Sequence, residues 1–261
     1  MIREYILYLR MLFIASIYIY TTILDLKYRE VPDDVWVLSY PVGLSLLALD
    51  LVLTPIYIME TLLFMAISLI LAITPALLGL YGGGDAKALV LLTLTIPRYP
   101  YDLYNPILSY TTPIMTLTCF NNGILLALTT SILTFMTNIK ALLSSDKPFS
   151  EFKDLNMLKM IILYFICYKV PLEVFASKNY LYPVESIEDS NGKIIRRINV
   201  NIGIEFSTES RIKILEKYRK LNISHIYVSF GIPLLLFFTL GFILSPVGDM
   251  LLAPVLNIVY G

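Results

Sequence analysis

Histidine, cysteine and charge are all scarce in this chain. One histidine, His225, and two cysteines, Cys119 and Cys167, stand among 261 residues. Neither cysteine has a neighbour at metal-ligand spacing, so two Cys and one His form no recognisable zinc site. Both cysteines lie in apolar stretches and read as packed thiols. No Ser-His-Asp arrangement is visible, and neither a metal nor a cofactor is expected. Charged residues make up 15% of the chain, against roughly 25% in a soluble domain. The formal net charge is zero, so the total says little about partners, and no nucleic-acid partner is expected. There is no internal repeat and no low-complexity tract.

What is abundant is apolar sequence. Hydrophobic residues reach 57% and mean hydropathy is +0.73, values of a polytopic membrane protein. A crossing needs roughly 17–25 apolar residues. Apolar runs fall at residues 5–24, with Arg10 inside, at 35–53, and at 56–81, interrupted by Pro75. Others fall at 88–96, 113–137 and 226–244. The fourth is short: nine helical residues reach about 14 Å. It must borrow from its flanks or dip into the bilayer inside protein. The start, from Met1, reads as a retained first span, since no small-residue cleavage site follows it. Residues 246–261 read as an interfacial tail.

Lys and Arg set orientation. Of the 20 basic residues, 14 lie between Asn138 and Ile223. Lys27, Arg29 and Lys87 fall in the other alternate connections, and the opposite side keeps only Arg3 and Arg98. The expectation is six crossings, both termini outside, with a small α+β cytoplasmic insert between spans 5 and 6. In domain terms, 1–137 carries spans 1–5, 138–223 is the insert, and 224–261 is span 6 and the tail. Within the insert, Ile194, Ile198, Val200, Ile202, Ile204 and Phe206 share the parity of a half-buried strand. Asn191-Gly192 fits a hairpin turn. Residues 209–222 fit an amphipathic helix with Ile212, Leu215 and Tyr218 inward. Residues 160–168 are too short to span alone and read as a buried strand or an interfacial helix.

This layout puts two carboxylates on one side of the bilayer. Asp25 ends the first apolar run, and Asp85 follows Gly82-Gly83-Gly84 after the third. An acid at a membrane boundary is costly and marks a candidate functional site. Separately, each has a plain reading, Asp25 as a headgroup-facing charge and Asp85 as a helix N-cap. The glycines allow a sharp turn and close approach of another chain. Lys87 is a positive-inside anchor or, if close, a charge that favours an ionised carboxylate. Together, two close carboxylates cannot both ionise easily, which suits aspartyl proteolysis. One takes a proton from water as it attacks the scissile carbonyl; the other polarises that carbonyl and protonates the leaving amine. Asp50 and Asp249 fall on the opposite side and are set apart. Glu30, Asp33 and Asp34 form an acidic cluster beside Asp25, either solvated loop charges or a receiver for a basic substrate segment.

At these residues the chain resembles the type IV prepilin peptidase family, in particular its archaeal preflagellin and prepilin peptidase branch. The family's G-x-G-D-x-K signature is matched by Gly82, Gly84, Asp85 and Lys87. Its first-span Asp, basic residue and aliphatic-Pro pair are matched by Asp25, Lys27 or Arg29, Val31 and Pro32. The resemblance implies a membrane aspartyl peptidase whose catalytic residues are Asp25 and Asp85. It implies cleavage of short basic leaders from archaellin and pilin-like precursors at the cytoplasmic membrane boundary. The Cys-rich zinc segment of many bacterial members is absent, as is any Gly-rich methyl-donor motif, so peptidase activity without N-methylation is expected. The 138–223 insert matches nothing recognised, and the oligomeric state is not read from the sequence.

Three other readings compete. The presenilin and signal peptide peptidase family shares G-x-G-D, but places its other Asp after Tyr and ends in Pro-Ala-Leu. Here Leu24 precedes Asp25, and the C-terminal prolines stand as Ser245-Pro246-Val247 and Ala253-Pro254-Val255. A proton-coupled transporter would use the acids as a relay, yet these acids lie at the membrane edge and the halves show no inverted similarity. A structural membrane anchor would not need either aspartate.

Overall fold

The computed structural model describes residues 2–108, 110–144, 147–152, 155–190, 193–198 and 208–260. The chain divides into two compact units, Met1–Ala127 with Pro233–Gly261, and Leu128–Ile232. The first is helical: α1 Ile2–Tyr28, α2 Asp33–Leu53, α3 Ile58–Leu77, α4 Gly83–Thr95, the start of α5 Met115–Leu143, and two late helices described below.

Local chemistry sets the breaks. α1 ends where Arg29 turns left-handed (φ 59°) and its N–H returns to the Asp25 carbonyl at 2.9 Å. Pro32 then precedes α2, whose first turn holds Asp33 and Asp34, charges that suit a helix N-terminus. α3 stops at Gly79 (φ 71°), a backbone geometry that favours glycine. Proline at 113 precedes α5.

α4 is the centre of this unit. Ala88, Leu89, Leu91, Leu92, Thr93 and Thr95 are all buried, and beyond Asp85 only the stripe of Ala86, Lys87, Val90 and Leu94 is partly exposed. Ile14, Tyr18, Trp36, Ala72 and Phe238 pack around it. The inward faces of α2 and α3 carry small residues, Ser39, Gly43, Thr61, Ser68 and Ala72, which let helices approach closely in lipid. Their outward faces carry Val37, Leu38, Val52, Leu62, Leu63 and Ile70, as a lipid-facing surface requires.

Among the described residues, four helices are long and apolar enough to cross a membrane: α1, α2, α3 with its leading turn from Pro55, and α5. They make this a multi-pass membrane protein. The expected count of six is met only as four or five. α4 has 13 residues, about 20 Å of rise, short of a full crossing. The expected sixth span is replaced by two kinds of structure. Its first part, His225–Phe230, is strand β5. Only Leu234–Ile243 is helical, as α9. Four β-branched or aromatic residues in His225-Ile-Tyr-Val-Ser-Phe230 favour a strand, and hydropathy alone does not distinguish that from helix. α9 is followed by α10, Leu252–Tyr260, and the pair passes as one broken span only with a bend of 47°.

The second unit is α+β. It holds the end of α5, α6 Met157–Ile166, β1 Tyr168–Pro171, α7 Leu172–Ser177, β2 Leu181–Pro183, β3 Glu185–Ser190, β4 Lys193–Ile198, α8 Thr208–Lys220 and β5. β5 lies between β1 and β2, antiparallel to both, while β3 and β4 pair as a separate ribbon. Val170, Phe175, Leu181, Tyr218, Ile226 and Val228 fill its core. The Arg211 guanidinium donates to the carbonyls of Phe175, Lys178, Asn179 and Leu181, fastening α8 to the loop before β2. The stretch 160–168 is mostly helix, with the strand beginning at its end. In α8, Tyr218 is buried, but Ile212, expected inward, is 51% exposed; Arg211 takes the inner position. The expected turn at 191–192 and the strand parity at 200–206 lie outside the described residues.

Candidate active site

Asp25 sits in the last turn of α1 and Asp85 in the first turn of α4. Both are partly exposed, so water reaches them. The Asp85 Oδ2 accepts the Gly82 N–H at 3.1 Å, the reach-back bond of a capping box. The amide of Leu235, in the first turn of α9, also acts on this carboxylate. Two helix N-termini therefore present N–H groups to Asp85, an arrangement that holds a carboxylate in place. Asp25 is near enough to Asp85 for their charges to interact. No hydrogen bond joins them among the described residues. Arg29 is the cation beside Asp25.

The other expected site residues separate into groups. Lys87 Nζ pairs with Asp33 Oδ1 at 2.5 Å and not with either aspartate of interest, so it links α4 to α2. Asp34 and Glu30 are exposed. Gly82 has ordinary extended backbone (φ −73°, ψ 157°), and none of Gly82–Gly84 is left-handed. The sharp reversal is made by Gly79 instead. A Cβ at Gly83 or Gly84 would meet nothing within 4 Å, leaving open space beside Asp85.

Several residues around this pair were not singled out from the sequence. Thr22, one turn before Asp25, shares a 2.7 Å hydrogen bond with Thr239 on α9 and donates to the Leu235 carbonyl at 3.3 Å. Leu235 thus contacts α1 through its carbonyl and Asp85 through its amide. The only sequence signal for this was Pro233, which starts a helix but does not say what faces it. Arg10 and Asp50, treated separately in the sequence, form a buried ion pair. Asp249 is buried, accepts from Asn121 Nδ2 at 2.8 Å, and takes the Leu252 N–H at 2.8 Å at the start of α10. Asp50 and Asp249 therefore have structural partners.

A family model described as the type IV leader peptidase family matches residues 12–139. A second, described as the archaeal peptidase A24 C-terminus type II, matches residues 159–250. The chain belongs to the type IV leader peptidase family. The first match contains both Asp25 and Asp85, and the second takes in most of the α+β unit and α9. The chain is also 33% identical over 141 residues to the preflagellin peptidase of Methanocaldococcus jannaschii, covering 49% of this chain and 54% of that protein. The match therefore spans about half the length of that relative. The second family model also covers the insert from residue 159 onward, a segment that the sequence alone did not match to anything.

Proposed function

We propose that this member of the family is a membrane aspartyl endopeptidase. Its substrates are archaellin or type IV pilin-like precursors, and it removes their short basic leaders without N-methylation. The observation that carries this reading is the convergence of Asp25 and Asp85 from two helix ends that point to one place. The bias of Lys and Arg towards alternate connections supports a cytoplasmic position for that place and a cell-membrane location. α4, shielded on most of its surface, would then pass most of the way through the bilayer against protein, as the fourth crossing of the expected layout.

The chemistry needs only the two carboxylates and water. Held close, they share one proton and titrate as a pair. The ionised member takes a proton from a water molecule as that water's oxygen attacks the scissile carbonyl carbon. The protonated member hydrogen-bonds the carbonyl oxygen as it becomes tetrahedral. When the C–N bond breaks, a carboxylic acid proton passes to the leaving nitrogen, and the pair is restored to its starting charge. The N–H groups of Gly82 and Leu235 hold Asp85 while this happens. The open space over Gly83 and Gly84 lets an extended precursor reach the pair. Family membership favours this over the transporter and anchor readings, and the presenilin-like motif pattern is not met.

The test is cleavage of a purified archaellin precursor in liposomes, with the product N-terminus sequenced. A single cut that removes a basic leader supports the reading. No cut, with solute movement in sealed vesicles, would favour the carrier.

Glu30, Asp33 and Asp34 are proposed to receive the leader. Charge-reversing Asp33→Lys with Asp34→Lys should raise KM by roughly tenfold for precursors with basic leaders, about 1.4 kcal/mol of lost binding. Precursors with neutralised leaders should change little. Equal KM values for both substrate sets would remove these acids from substrate binding.

A further inference from the structure

The seam between α1 and α4 carries polar ties at two heights below the aspartates. Seven residues before Asp25, two turns down the same face of α1, Tyr18 is fully buried. Its hydroxyl donates to the Ala88 carbonyl at 2.9 Å. Ala88 stands one turn after Asp85 on α4. The ring packs edge-on against Phe242 of α9, with centroids 5.7 Å apart, and Thr239 of α9 donates to the Tyr18 carbonyl at 3.3 Å. Tyr18 therefore touches both helices that hold Asp85.

The second tie lies about 22 Å below Asp25, at ~1.5 Å per helical residue. Arg10 is buried, 2% exposed. Its Nε donates at 2.7 Å to the carbonyl of Thr95, the last residue of α4. That carbonyl has no partner within its own helix, and a cation suits the C-terminal end of a helix. The same guanidinium pairs with Asp50 of α2. Apolar helix faces in lipid slide with little penalty, since lipid and side chains are equally apolar. Directed bonds from α1 side chains to α4 carbonyls fix what apolar contact leaves free: translation and rotation of α4 along α1.

We infer that Tyr18 and Arg10 are positioning residues: they hold α4 in register with α1 and so set the separation of Asp25 and Asp85. The inference rests on the aspartyl peptidase reading for its effect on turnover, but its geometric content does not.

The experiment uses Tyr18→Phe in the full chain in liposomes. Phenylalanine keeps the ring and its contact with Phe242 and deletes one hydroxyl. Turnover should fall roughly tenfold, with KM within about twofold, because small misplacement of reacting groups is costly while leader binding lies elsewhere. Arg10→Met with Asp50→Leu serves as the second variant, since a buried pair replaced by apolar groups leaves stability nearly unchanged. It should give the same split between kcat and KM. Independently of activity, Asp25→Cys with Asp85→Cys is cross-linked by a short bismaleimide, with and without Tyr18→Phe. Cross-linking should slow several-fold when the hydroxyl is absent. Unchanged cross-linking in both backgrounds overturns the inference, as does a loss of activity that only follows a loss of folded protein. If cross-linking slows but even the unaltered protein cuts no precursor, the register stands and the peptidase reading fails.

Discussion

Asp85→Asn and Asp25→Asn should each lower kcat/KM for precursor cleavage by roughly 10²–10⁴-fold, the range expected when an acid or base is lost. The fold should survive both changes. Asparagine has the size of aspartate, and at position 85 its side-chain oxygen still accepts the Gly82 N–H that closes the first turn of α4. At position 25 the change costs no hydrogen bond among the described residues. What is lost is the ability to take or give a proton at the scissile bond. Quantitative electrophoresis of precursor and product, with thermal unfolding of each variant alongside, checks this. Full activity in either variant would remove that residue from the chemistry.

The second large effect is on stability. Gly241→Ala should destabilise the membrane unit by about 3 kcal/mol, the upper part of the usual range for overpacking. A Cβ at Gly241 would lie 2.4 Å from the Cys119 carbonyl oxygen and 2.7 Å from the Gly123 nitrogen. Both are backbone atoms of α5, so no side-chain rotation relieves the clash. α9 would have to move away from α5, and with it the Leu235 amide that faces Asp85. Activity should fall with stability. Gly84→Ala is the contrast: its Cβ meets nothing, and helix propensity favours alanine. That variant should unfold no earlier than the unaltered protein. If Gly241→Ala were as stable, the close approach of α5 and α9 would not be a feature of the folded protein.

The sequence made some of this structure legible and hid the rest, for definite reasons. Long apolar runs marked α1, α2, α3 and α5 because a bilayer demands length and hydropathy together. The same measure failed at 226–244, where a buried strand and a short helix adjoin and their hydropathies merge. The two aspartates stood out because a carboxylate beside apolar sequence is costly. Lys87 was visible as a charge next to Asp85, but its partner, Asp33, is 54 residues away and depends on how α2 meets α4. Gly82–Gly84 suggested a sharp turn, yet the left-handed residue is Gly79; a run of glycines does not reveal which one takes positive φ. Tyr18 and Thr22 sat unmarked in the first span, and Arg10 showed only as a charge within it, since their bonds go to backbone carbonyls of other helices. Such acceptors carry no residue identity, so no motif announces them.

The claim that most needs testing is that Asp25 and Asp85 act as one unit. The direct measurement is a double-mutant cycle on precursor cleavage, with enzyme in excess over labelled substrate so that slow turnover is readable. The unaltered protein, Asp25→Asn, Asp85→Asn and the combined variant are compared at one pH. Groups that work together are strongly non-additive. The expected result is a combined variant no slower than the worse single one. A combined loss equal to the product of the two single losses would mean independent contributions, and the shared-proton pair would be wrong.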